Sequence, residues 1–144
     1  MVILEHIGTG LILLIASIFD IKTKKLPVLF TWISFFFAVT IFFIVGRTHI
    51  QDSVAGMAEG VVLAMLARIT GVIGEGDGRV LCATGLLTGA IGGLAILMLG
   101  VLYMAFISIP LLCMKKIKGK DSLPFIPFLF LGYLTVYFMG GFYA

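Results

Sequence analysis

Long apolar runs separated by short polar stretches make up this chain, and the runs have the length of membrane crossings. Residues 2–19 are mostly apolar and end at Asp20, and residues 28–46 hold no charged residue. The polar stretch 47–52 parts the second run from a third, residues 53–73. About 20 apolar residues of helix cross a bilayer core of roughly 30 Å, so each run predicts one spanning helix. The next uncharged run, residues 80–114, is too long for one crossing, because as a single helix it would extend about 50 Å. It must fold back, and Gly89, Gly92 and Gly93 are the predicted turn, since glycine breaks helix and adopts turn geometry readily. A last span follows Pro124 and runs towards Tyr143. The prediction is an all-α polytopic membrane protein of about six transmembrane helices with a short fourth helix, forming one domain over residues 1–144.

Composition strengthens this reading. Hydrophobic residues make up 61% of the chain, charged residues 12%, and the mean hydropathy is +1.22. A soluble core of this size cannot bury so much apolar surface, whereas a bilayer accepts it on every outward face. The first run has the length of a secretory leader, but Glu5 precedes its apolar stretch and Lys22, Lys24 and Lys25 follow it. That order is the reverse of a leader, so a retained helix is expected. Cys82 and Cys113 lie in apolar runs without metal-ligand spacing and read as small hydrophobic filler.

Six crossings would put both termini on one side and the loops 20–27, 74–79 and 115–123 on the other. Nine of the ten basic residues fall on that second side or in helix ends facing it: Lys22, Lys24, Lys25, Arg68, Arg79, Lys115, Lys116, Lys118 and Lys120. Only Arg47 lies opposite. The positive-inside tendency then makes the loop side cytoplasmic and the termini extracytoplasmic. Small residues at Gly56 and Gly60, and at Gly85, Gly89 and Gly93, predict faces along which helix backbones approach closely.

The acidic residues are few: Glu5, Asp20, Asp52, Glu59, Glu75, Asp77 and Asp121. Asp20 closes the first span, and Asp77 sits in Gly74-Glu75-Gly76-Asp77-Gly78-Arg79 between the third and fourth. Two crossings separate them, so they return to the same face at similar depth. Two carboxyl groups close together in a partly desolvated site cannot both ionise cheaply, so one keeps a proton while the other is charged. The charged member can take a proton from an attacking water as the protonated member donates to the peptide carbonyl oxygen, with no metal or cofactor needed. Glycines around Asp77 would let an extended substrate backbone approach the acid. Glu59 and Arg68 in the third span read as side chains reaching for the interface. His6 and His49 read as surface residues, and Trp32, Tyr133, Tyr137 and Tyr143 as interface or packing aromatics. The competing reading is a small transporter using Asp20, Asp77 and Glu59 as a proton or cation path, which would need acidic groups spread through the membrane depth.

Asp20-Ile21-Lys22 with Leu26-Pro27, then Gly74 to Val80, then Leu123-Pro124-Phe125-Ile126-Pro127-Phe128-Leu129, together resemble the type IV prepilin peptidases and their preflagellin relatives. The chain departs from that pattern at Val28, Arg79 and Ile126, where Asn or Asp, Lys and Gly are usual. The resemblance implies a six-helix membrane aspartyl protease with Asp20 and Asp77 catalytic. It also implies that Gly74, Glu75, Gly76, Gly78, Arg79, Lys22 and Pro27 shape the loops or meet substrate. The expected partners are a bilayer and a prepilin-like precursor, whose basic leader is cut from its hydrophobic helix at the cytoplasmic face; nucleic acid is not expected. A peptidase core alone is implied, without the methyltransferase domain of some relatives and without S-adenosylmethionine. Because the cytoplasmic rim is itself basic, attraction of a basic leader would fall to Glu75, Asp121 or lipid headgroups.

Overall fold

The computed structural model describes residues 2–23, 26–46, 50–70, 74–114 and 124–140. The described residues form five helices and no strand: α1 (Val2–Thr23), α2 (Val28–Val45), α3 (Ile50–Thr70), α4 (Glu75–Cys113) and α5 (Ile126–Phe138). The first four are long and apolar enough to cross a membrane, and α5 is a shorter apolar helix. Large apolar side chains point outward from them, among them Phe43, Ile69, Ile91 and Phe106, each at least 75% exposed. Lipid satisfies such surfaces, and helices satisfy their own backbone groups within it, so the chain is an all-helical multi-pass membrane protein.

Helix ends differ from the hydropathy boundaries in three places. α1 continues past Asp20 to Thr23, α3 already starts at Ile50, and α4 starts at Glu75 instead of near Val80. Polar residues read as loop in a hydropathy pattern, but acids in a first helical turn are favoured by the free N–H groups there. Asp52 occupies that place in α3, and Glu75 and Asp77 occupy it in α4.

The fold-back of the long run occurs at Gly89, whose backbone (φ 78°, ψ 179°) interrupts the helix. It divides α4 into arms of residues 75–88 and 90–113. In a continuous helix Gly85 and Gly93 would be about 12 Å apart. Here a Cβ built on Gly93 would lie 3.6 Å from the Gly85 Cα. The second arm opens on the Ala90 N–H, which donates to Asp52 Oδ1 at 3.0 Å. An acidic residue from α3 thus caps a helix in α4.

The most extensive helix pair is α3 against α4, and it is built on absent side chains. A Cβ on Gly56 would meet the backbone of Gly85 and Gly89, one on Gly60 would meet Cys82, and one on Gly78 would meet the backbone of Ala64. Read in order, Asp52, Gly56, Gly60 and Ala64 face Ala90, Gly85, Cys82 and Gly78, so α3 lies antiparallel along the first arm. The remaining helices interlock through larger residues: Ile12, Leu13 and Ala16 of α1, Ala38 and Ile41 of α2, Val80, Leu87 and Ile96 of α4, and Ile126, Leu129 and Tyr133 of α5.

α5 is fastened to α1 at the far end from Asp20. The Tyr133 hydroxyl donates to the His6 carbonyl at 2.7 Å. His6 is buried, 6% exposed, with its ring edge-on to Tyr137 at 5.5 Å between centroids. This corrects its reading as a surface residue: α5 covers the start of α1, which periodicity in α1 alone does not reveal. The filler reading of cysteine applies to Cys82, which is buried, whereas Cys113 is exposed. Glu59 is also turned inward, with Oε2 buried against Gly93 and no hydrogen bond to it among the described residues. Lys24, Lys25, Arg47, His49, residues 115–123 and Tyr143 lie outside the described residues.

Candidate active site

Four helices and one link meet at the end of the bundle where Asp20 and Asp77 lie. α1 brings Asp20 there one turn before its end, and α4 brings Asp77 in its first turn. Both side chains are buried, with the residues 5% and 8% exposed. The two carboxyl groups are near enough to interact electrostatically.

Asp20 is held by a helix distant in sequence. Its Oδ2 accepts the Ile126 N–H at 3.0 Å, in a buried bond between residues 106 positions apart. Asp77 is held locally: its own N–H donates to the Gly74 carbonyl at 3.1 Å, closing the turn that starts α4.

The glycines flanking Asp77 are occupied by packing. Gly78 sits against the α3 backbone at Ala64, and a Cβ on Gly76 would come within 2.9 Å of Leu26 in the α1–α2 link. A Cβ on Gly74 would stand 3.3 Å from Asp77 Oδ2, so this exposed glycine borders the acid directly. The stretch Gly74 to Arg79 is thus a helix start seated against its neighbours, and tertiary contact outweighs the low helix propensity of glycine.

Glu75 lies outside this pocket and is half-exposed. Its Oε2 is 3.5 Å from Arg79 one turn on, and its Oε1 is 3.8 Å from Arg68 of α3. Lys22 is exposed in the last turn of α1, and Pro27 is exposed immediately before α2. Sequence reasoning names Glu75, beside Asp121 and lipid headgroups, as what would attract a basic leader, but two guanidinium groups already face its charge. Glu75→Gln is expected to lower stability by no more than about 0.5 kcal/mol, since exposed pairs are weak. Thermal unfolding in detergent at low and high salt measures this. A much larger loss would mean that the pairs carry more of the α3–α4 junction than their exposure allows.

Comparison with known proteins gives the family. Residues 7–113, a stretch from α1 to the end of α4 that includes both aspartates, match the type IV leader peptidase family. The chain belongs to that family. Membership makes it a protease of the leader peptidase kind, as the motifs around Asp20 and Asp77 led one to expect. No curated protein and no solved structure matches the chain. α5 lies beyond the residues matched to the family, although its first N–H, that of Ile126, meets Asp20. Sequence reasoning missed this donor, and the one signal for it was the pair of prolines, Pro124 and Pro127, on either side of it.

Proposed function

We propose that the chain is an intramembrane aspartyl endopeptidase that removes the short basic leader of prepilin-like precursors at the cytoplasmic membrane face, with Asp20 and Asp77 as its acid pair. The observation that carries this reading is the meeting of two buried, electrostatically interacting aspartates from separate helices, in a chain of the leader peptidase family. The chemistry then follows from two carboxyl groups in opposite protonation states. Water attacks the scissile carbonyl carbon and gives a proton to the charged aspartate, while the protonated aspartate gives its proton to the carbonyl oxygen. The tetrahedral diol that results collapses as its C–N bond breaks. The amine takes one proton, the new carboxyl group is released, and the pair returns to one proton shared between two acids.

The reversal at Gly89 supports reading α4 as two passes, which with α1, α2, α3 and α5 would make six. Basic Lys22, Arg68 and Arg79 lie towards the end with the aspartates, which supports a cytoplasmic site and extracytoplasmic termini. A precursor whose apolar helix lies in the bilayer beside the bundle would present its leader junction at this depth.

The test uses the purified chain in vesicles with a synthetic precursor consisting of a short basic leader joined to an apolar helix. Mass spectrometry is expected to find one cut at the junction. A folded, inserted protein that leaves the precursor whole would overturn the proposal.

A further inference from the structure

We propose that the N-terminus of α5 is the positioning element of the active site, its backbone N–H at Ile126 holding the Asp20 carboxylate where it can react. This rests on the reading of Asp20 and Asp77 as the catalytic pair, and it adds to the site a helix beyond the residues matched to the family.

The chain enters α5 through Pro124-Phe125-Ile126-Pro127. Proline has no N–H, so the start of α5 offers two donors in this stretch, those of Phe125 and Ile126. The first N–H groups of a helix have no partner within it. A side chain at the N-cap ordinarily supplies one, but Phe125 fills the N-cap of α5 and makes no such bond. The Ile126 N–H turns to Asp20 instead. Ile126 is fully buried, so water is not at hand as a substitute partner. Moving Asp20 away would strand this N–H, and the cap therefore restrains the acid as much as the acid completes the helix.

The restraint works only because α5 itself is seated on α1. Tyr133 bonds to His6, the Tyr133 ring lies against Gly10, and Ile126, Leu129 and Tyr133 enter the core beside Ile12, Leu13 and Ala16. Asp77 has a different anchor, the turn at Gly74. The approach of the two acids is thus set by how α5 packs on α1 and how the first turn of α4 packs on α3.

The test removes one N–H and nothing else. Incorporating the α-hydroxy acid analogue of isoleucine at position 126 replaces the amide between Phe125 and Ile126 with an ester. We expect kcat to fall about tenfold, the size of a lost hydrogen bond to a charged group, with KM changed by less than about twofold. Affinity for a substrate peptide carrying a hydroxyethylene group at the scissile bond should fall by a similar factor, because that group mimics the transition state. Ile126→Val keeps the N–H and should leave kcat within about twofold of the starting protein. If the ester at 126 does not fold, Tyr133→Phe, which removes the bond seating α5 on α1, should lower kcat with KM unchanged, and an unchanged kcat there overturns the proposal. An ester protein with unchanged kcat, or with KM rising in step as kcat falls, overturns the proposal. Asp20→Asn separates the two claims: an inactive Asn variant beside a fully active ester removes only the positioning role, whereas an active Asn variant removes the catalytic pair.

Discussion

Replacing Asp20 by Asn is expected to slow leader removal by at least about 10³-fold while leaving thermal stability close to that of the parent protein. The contrast comes from the two tasks this side chain performs. Its Oδ2 caps α5 at Ile126, and Asn caps a helix about as well as Asp. Asn cannot take and return a proton in this pH range, so the hydrolytic step is lost although the cap remains. Asp20→Ala should lose both, with a further drop in stability of about 1 kcal/mol from the missing cap. Asp77→Asn should be as inactive as Asp20→Asn, because neither acid can perform both proton transfers alone. Unfolding followed by circular dichroism in detergent, alongside precursor cleavage, reads the two quantities separately. An Asp20→Asn protein that still cleaves would show that Asp20 is a cap and nothing more.

Gly89→Ala is expected to cost on the order of 3 kcal/mol or more, enough to deplete folded protein in the membrane. The residue has φ 78° and ψ 179°, a region essentially confined to glycine. A Cβ there would also collide with the Asp52 carboxylate, the group that caps the second arm through the Ala90 N–H. One methyl group therefore opposes the backbone turn and displaces the cap together. Asp52→Asn keeps an acceptor for Ala90 and should remain within about 0.5 kcal/mol of the parent, whereas Asp52→Ala should lose about 1 kcal/mol. Melting temperatures of the three variants order these effects. Equal stability of Gly89→Ala and the parent protein would be incompatible with the reversal described here.

These residues also show what sequence can and cannot reveal. The helices are legible because hydropathy is a local property: an uncharged run longer than a bilayer is thick must turn, and three glycines offer the place. Asp20 and Asp77 are legible as candidates because polar groups in apolar surroundings are few and each needs a reason. The cap on α5 is not legible, since it joins residues 106 positions apart and a backbone donor leaves no mark in the side-chain pattern. The same holds for Asp52, which reads as part of a polar loop until Ala90 is seen above it. Glycines beside Asp77 suggest room for substrate, yet Gly78 is small because α3 is there. Sequence shows that a side chain is missing, but the neighbour that required its absence is visible only in three dimensions.

The bond from Ile126 to Asp20 has a consequence for when the protease comes into being. A ribosome must add 106 residues after Asp20 before its partner exists, so the first helix waits in the bilayer with its carboxylate uncapped while the next three are made. Under this arrangement the nascent chain is an unfinished tool, and the arrival of α5 is the event that completes it.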